Sequence, residues 1–304
     1  MEIQATSRTF WEDRWLNIIE RSRSEQPLKA EAPGTSAMDR WDNMAKDFAQ
    51  RTSGEKASAR RDAALKQLVD KGIVTPETRV LDIGAGPGSW ALPMSGICAH
   101  VTALEPSGGM IDIMSERIEK EKVNNISIVQ QTWQETDLAE QGWEKAFDLV
   151  FASMTPGIDG PDAVMKLMAA SSHYCYMSAF SGPGMNQQFA PLWEIFFDRP
   201  MPQRHMDIIY PFNLVYAMGF RPDITFSWWN KEINWDRDHT IRHIIRFFQP
   251  HMEITQEAEQ IIADYVDTRC VNGEYVPAAP VCRGVMTWSV HEERRTTRGE
   301  PDGI

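Results

Sequence analysis

The sequence predicts an α/β fold: a seven-stranded, mostly parallel sheet flanked by helices, with helices ahead of it and a helical insertion within it. Three observations carry this. Arg79 to Ser95 (RVLDIGAGPGSWALPMS) passes from the apolar Val80, Leu81 and Ile83 through glycines at 84, 86 and 88 into a helical pattern at Trp90, Ala91, Leu92 and Met94. That reads as a buried strand, a tight turn and a helix start. Further short apolar runs lie at His100 to Leu104, Asn125 to Gln130, Phe147 to Ala152 and Tyr174 to Phe180, with helical stretches between them. Two later runs, Gly219 to Trp229 and Gly284 to Glu292, alternate apolar and polar residues, as antiparallel edge strands do.

A chain of 304 residues holds one large domain, or a core domain with an appended one. Its 42% hydrophobic and 24% charged residues suit a soluble globular protein. A net charge of −12 speaks against a broad phosphate-binding surface, so bulk nucleic acid is not an expected partner. No apolar run approaches the roughly 20 residues that span a bilayer, and the start, MEIQATSRTFWEDRW, lacks an apolar signal core. The expectation is a cytoplasmic protein without a membrane partner. Cys98, Cys175, Cys270 and Cys282 show no C-x-x-C pairing and read as reduced thiols, a Cys270–Cys282 bridge being the lesser alternative.

Residues 1–75 read as an N-terminal helical block. Phe10, Trp11, Trp15, Ile18 and Ile19 recur at helical spacing, Pro27, Pro33 and Gly34 mark a linker, and Trp41, Met44, Ala45 and Phe48 form a second stripe. A third helix, about Ala57 to Lys71, ends at Gly72.

The glycine turn is suited to a nucleotide-like ligand, because glycine admits a close approach and the next helix offers free N–H groups. A dinucleotide fingerprint, G-x-G-x-x-G, would place glycine where Ser89 stands. Asp82, two residues before the first glycine, disfavours a pyrophosphate and suits a ligand carrying an ammonium and a sulfonium. Glu105, 21 residues beyond Gly84 at the tip of the second strand, can accept two ribose hydroxyls.

The stretch D-I-G-A-G-P-G resembles motif I (D/E-x-G-x-G-x-G) of the class I S-adenosylmethionine-dependent methyltransferases, of the type 11/12 kind with a Rossmann-like core, and the likeness extends over about Arg79 to Glu292. It implies an enzyme with S-adenosylmethionine as cofactor and S-adenosylhomocysteine as product. The cofactor site would comprise Asp82, Gly84, Ala85, Gly86 and Gly88 at the methionine end, Glu105 and Pro106 at the ribose, and Met110, Trp133 and Gln134 at the adenine. The amine contact stays open between Gln134, Glu135 and Asp137. The run F-D-L-V-F-A, ending at Ala152, resembles the family's strand behind the sulfonium, and Ser153 to Gly157 would floor the methyl group. That loop is not the Asn-Pro-Pro-Tyr of amino-nucleobase methyltransferases. The family also implies a cap before motif I, with Trp41 and Phe48 as its aromatic positions.

The resulting domains are 1–75, a helical cap; 76–182, 218–229 and 283–293, the cofactor-binding core; 183–217 and 230–282, insertions forming an acceptor lid; and 294–304, a polar tail. Residues 189–248 hold 14 of the 30 Phe, Trp and Tyr residues. Phe226 and Trp228 share a face of the sixth strand; Phe189, Trp193, Phe196, Phe197, Tyr210, Trp235, Phe247 and Phe248 either line an acceptor pocket or form the core of a helical subdomain. Trp41, Met154, Trp193 and Tyr210 are the pocket candidates, and His205 and Tyr210, with Asp207 beside them, the candidates for a base. His239 and His243 share a helix face, but no further ligand is evident and no metal is expected.

The expected function is methyl transfer to a small-molecule acceptor by in-line displacement. Protein or RNA methylation, a non-catalytic cofactor-binding protein of the same fold and an NAD dehydrogenase are the rivals. A homodimer is compatible with the sequence.

Overall fold

The computed structural model describes residues 7–25, 37–182, 188–202, 207–229, 236–276 and 281–291. Three helices come first: α1 (Arg8–Glu25), α2 (Ala37–Ser53) and α3 (Glu55–Asp70). The sheet is then built from β1 (Arg79–Ile83), β2 (His100–Leu104), β3 (Ile126–Val129), β4 (Phe147–Ser153), β5 (Ser171–Ser181) and β6 (Asp223–Trp229). After a small hairpin of β7 (Cys270–Val271) and β8 (Glu274–Tyr275), β9 (Val281–Ser289) completes it. The order is β3-β2-β1-β4-β5-β9-β6. The first five strands pair in parallel, and β9 runs antiparallel to both neighbours.

Strand alternation sends side chains to two cores. On one face, Leu81, Ile83, Val150, Ala152, Cys175 and Met177 meet α6 (Pro161–Ala170), α8 (Ile209–Ala217) and α1. On the other, Val80, Leu149, Phe151 and Tyr176 meet α3, α4 (Ala91–Ser95) and α5 (Gly108–Glu121). Covering both faces with helices is what allows a parallel sheet to be apolar throughout.

A third core stands apart from the sheet. Phe189 and Trp193, of α7 (Ala190–Phe197) and the residue ahead of it, pack with Ile244 and Phe248 of α9 (Arg237–Phe248), Ile262 and Tyr265 of α10 (Gln256–Asp267), and Tyr275 of β8. Arg237 binds Asp267 through Nε at 2.5 Å and Nη2 at 2.9 Å, joining α9 to α10. The chain leaves the sheet for this module after Ser181 and after Trp229, and re-enters it at Asp207, bridged to Phe180, and at Val281. The register puts all four junctions at the carboxyl end of the parallel strands, where α/β sheets bind ligands.

Several expectations change. The first 75 residues are not one cap: Trp15 and Ile19 of α1 are buried in the main core, whereas α2 packs on α5. Most of the aromatic cluster forms the module's own core, the packing alternative, and Trp193 is therefore no pocket residue. Phe226 and Trp228 do share a face, but among the described residues β6 pairs with β9 alone, and they are 51% and 68% exposed. Cys270 and Cys282 are free thiols. His205, Trp235 and the tail 294–304 lie outside the described residues. Among those described, no helix is long and apolar enough to cross a membrane.

Candidate cofactor and active site

The glycine turn is folded back on the end of β2. The N–H groups of Gly84 and Ala85 both donate to the Leu104 carbonyl, at 2.8 and 3.1 Å, and Gly86 N–H donates to Glu105 Oε2 at 2.8 Å. The glycines do different jobs. Gly84 has φ +69°, and a Cβ there would lie 2.1 Å from Thr155 Oγ1, so it lets the turn meet the loop after β4. A Cβ on Gly88 would strike Leu92 Cδ1 at 2.2 Å and Met114 Cγ at 2.9 Å. Gly88 thus serves helix packing, and Ala85 is itself buried in that core.

Asp82 lies on β1 between Ala103 of β2 and Phe151 of β4. It is 2% exposed, and its Oδ2 is buried without a hydrogen-bond partner. Burial, with the Glu105 carboxylate adding to it, pushes its pKa up to about 8. A buried acid with an orphan oxygen is costly. What would satisfy it is a cation or a hydrogen-bond donor.

Glu105 is also buried, and burial raises its pKa against the lowering effect of two backbone donors, Ser107 N–H at 2.9 Å and Gly86 N–H at 2.8 Å. Ser107 caps α5 by accepting from Met110 N–H at 3.2 Å, which leaves Met110 buried in the first turn. Pro106, half-buried, accepts from Gln130 Nε2 at 3.4 Å.

Beyond β4 the backbone is strained. Met154 holds φ +54°, a left-handed value that a side chain disfavours, and its N–H donates to Ser178 O at 2.9 Å. Thr155 Oγ1 accepts from Gly157 N–H at 3.1 Å. Ala152 points into the core beneath this loop.

The loop after β3 departs from expectation. Trp133, 2% exposed, packs with Ile83 and Ile158 and donates its indole N–H to Ala163 O at 3.1 Å. It offers no open flat face. Lys166 Nζ lies 4.8 Å over its ring and donates to the carbonyls of Trp133, of Gln134 at 3.3 Å and of Thr136 at 2.9 Å. Gln134 reaches the loop after β4, its Nε2 donating to Gly157 O at 3.1 Å. Glu135 instead accepts from Thr132 Oγ1, and Asp137 from the N–H groups of Ala139 and Glu140. Of the three candidates for the amine contact, only Gln134 borders the loop after β4.

Tyr210 stacks on Trp15 of α1, ring centroids 6.2 Å apart. Burial and then Asp207 raise its pKa, the wrong direction for a base. Asp207 itself accepts from the N–H groups of Gly182 and Ile209. Tyr210 and Asp207 thus have their partners in α1 and in the backbone around β5 and α8. His243 lies 5.9 Å from Phe189 in the module.

Helix α2 crosses the site. Phe48 Cε1 sits 3.8 Å from where a Gly86 Cβ would be, Thr52 Oγ1 lies 3.1 Å from Ser89 Oγ, and Asp42 reaches Ser107. Trp41 packs edge-on against Phe48 at 5.8 Å. Asp42, Thr52 and Lys166 were not legible as site residues. Each is an ordinary polar residue in its own segment, brought there by contacts 30 or more residues away in sequence.

Residues 80–171 match the family model of a methyltransferase domain. An uncharacterized protein of Haemophilus influenzae is 21% identical over 266 residues, 83% of this chain and 87% of its own length. Among solved structures, a Bacillus halodurans protein named as a candidate methyltransferase aligns with TM-score 0.51 at 11% identity, over 75% of this chain and 99% of that one. YcgJ from Bacillus subtilis aligns with TM-score 0.50 at 16% identity, over 75% and 97%. With this sheet order, the matched segment puts Asp82, the glycine turn and Glu105 inside a methyltransferase domain of the class I fold.

Proposed function

We propose that the protein methylates a small-molecule acceptor, and that Asp82, the glycine turn and Glu105 hold the cofactor. The observation that carries this is the orphaned Asp82 Oδ2 beside the turn. An α-ammonium is the partner such an oxygen lacks, and a buried acid with a pKa near neutral can give up its proton when the cation arrives. Each Glu105 oxygen now accepts one N–H and keeps a second lone pair for a ribose hydroxyl. Gln134 is the polar group at the adenine end.

When bound, the cofactor supplies a sulfonium-activated methyl group, which passes to the acceptor's lone pair as the carbon–sulfur bond breaks. The chain contributes chiefly alignment. The Met154–Gly157 loop, pinned through Ser178 and the Thr155 hydroxyl, forms the floor, and the module covers the acceptor side from its four junctions. The acidic total favours a small molecule over a polyanionic RNA.

Calorimetric titration with S-adenosylmethionine, S-adenosylhomocysteine and NAD tests the cofactor assignment. Binding of the two adenosyl ligands only, weakened about 10-fold or more by Asp82→Ala and by Glu105→Ala, supports it; binding of NAD alone overturns it. Methyl-tritium transfer to a metabolite extract, rather than to RNA or protein, tests the acceptor class.

A further inference from the structure

We propose that the acceptor carries a carboxylate, and that Tyr176, Ser178 and Arg283 form the subsite that holds it at the carboxyl end of β4 and β5. This rests on reading the chain as a methyltransferase of small molecules, and it names the class of that molecule. The starting point is a buried phenol with nothing to bond. Tyr176 is 1% exposed, and its hydroxyl has no hydrogen-bond partner among the described residues. Ser153 and Ser178 are the hydroxyls beside it, but they bond each other, Oγ to Oγ, at 3.0 Å. A buried donor left in this way is costly unless an acceptor arrives from outside.

Strand pairing assembles the cluster. Phe151 and Ser153 of β4 stand opposite Tyr176 and Ser178 of β5, and Arg283 of β9 stands opposite Phe180. Alternation along β5 puts residues 176, 178 and 180 on one face, so Arg283 shares it. Tyr176 is held flat against Phe151, ring centroids 4.1 Å apart, and Trp90, two residues beyond Gly88, lies 4.9 Å from Phe151 and 6.3 Å from Tyr176. The cluster therefore adjoins the glycine turn on one side. On the other it adjoins the floor loop, because Ser153 precedes Met154, whose N–H donates to Ser178 O at 2.9 Å. Tyr176 and Ser178 are buried, whereas Trp90, Ser153 and Arg283 are part-exposed, so the cluster is closed at the sheet and open toward the strand ends.

The chemistry of the donors selects the ligand. Burial raises the Tyr176 pKa against the opposing pull of Arg283, Ser178 and Ser153, so the phenol stays protonated and can only donate to an anion. One guanidinium with neutral hydroxyls matches a single negative charge spread over two acceptor oxygens, which is a carboxylate; a phosphate dianion calls for more positive charge.

The test uses the full chain loaded with S-adenosylhomocysteine and three probes of similar size, benzoate, benzamide and phenyl phosphate, followed by ligand-observed NMR. Benzoate is expected to bind about 10-fold or more tighter than either of the others. Tyr176→Phe and Arg283→Met should each weaken benzoate about 5-fold or more and leave the affinity for S-adenosylhomocysteine within about twofold. Tyr176→Phe removes a hydroxyl that bonds nothing, so it should melt at or above the wild-type temperature, which separates a lost contact from a damaged fold. If Arg283→Met does not fold, Tyr176→Phe decides the matter. Benzoate no tighter than benzamide, failure of both to bind included, or benzoate binding unchanged in Tyr176→Phe, overturns the subsite; phenyl phosphate as tight as benzoate overturns the carboxylate. If the wild-type protein binds no adenosyl ligand, the cofactor reading fails; benzoate against benzamide on the unloaded protein then decides the subsite, a preference for benzoate that Tyr176→Phe abolishes retaining it and no preference removing it.

Discussion

Helices α1 and α2 look alike in sequence and end up in different trades. Both are amphipathic and carry tryptophan. Yet α1 buries Trp15 and Ile19 in the core beneath α6 and α8, where Trp15 stacks on Tyr210. Helix α2 leaves Trp41, Met44 and Phe48 half-exposed and fastens itself through Asp42 and Thr52. Burial of large apolar groups ties α1 into the fold, whereas α2 rests on α5 through a smaller apolar footing and the polar contacts of Asp42 and Thr52.

Trp15→Ala gives the largest expected break in that comparison. Removing a fully buried tryptophan should cost about 3–5 kcal/mol in a denaturant titration, with hydrogen exchange in α2 little altered below the transition. A loss under about 1 kcal/mol would put α1 in the same class as α2.

Asp82, on β1 ahead of the turn that α2 borders, is the next test. Its folded pKa, about 8, lies above its unfolded value of about 3.9. Its contribution to stability is therefore complete below pH 3.9 and is lost as pH rises through 8, with a slope of up to about 1.4 kcal/mol per pH unit between them. Asp82→Asn should flatten the stability profile between pH 6 and 8 and weaken S-adenosylhomocysteine binding. Wild-type binding near pH 7 should release a proton, seen as a calorimetric enthalpy that varies with the buffer's ionisation heat. A buffer-independent enthalpy would contradict this.

Phe48→Ala is a smaller change. The ring is half-buried, so stability should fall by about 1 kcal/mol or less, while ligand association speeds up because the approach over Gly86 opens. Arg246→Ala should do least. Its exposed pair with Asp47, at 3.3 Å, links α9 to α2 but is worth about 0.2–1 kcal/mol at most. A loss above about 1 kcal/mol would show that the pair does more than an exposed ion pair does.

What could be read locally was read correctly in outline. The strand–turn–helix at 79–95, the acids at 82 and 105 and the two later antiparallel strands depend on near neighbours, and the structure has them close to where the pattern put them; of those two strands β6 is at the edge, whereas β9 lies inside the sheet between β5 and β6. Side-chain roles were less legible. Trp133 looked like a flat surface for a ring, but Ala163 and Lys166, about 30 residues on, claim both its N–H and its face. The same holds for Trp193: an aromatic-rich stretch has one appearance whether it lines a pocket or fills a core, and α9 and α10 decided for the core.

The sequence by itself determined the fold class and the acid–glycine–acid pattern of the turn proposed to hold the cofactor, because periodicity and turn residues act over a few positions. Only the tertiary structure decided that α1 is core while α2 packs on α5, that Asp82 stands buried with an unmet oxygen, and that Phe189, Trp193 and Phe248 face the module's own core while Phe226 and Trp228 stay exposed. Those outcomes depend on which surfaces meet across long stretches of chain, and burial, not residue type, sets what each side chain there can do.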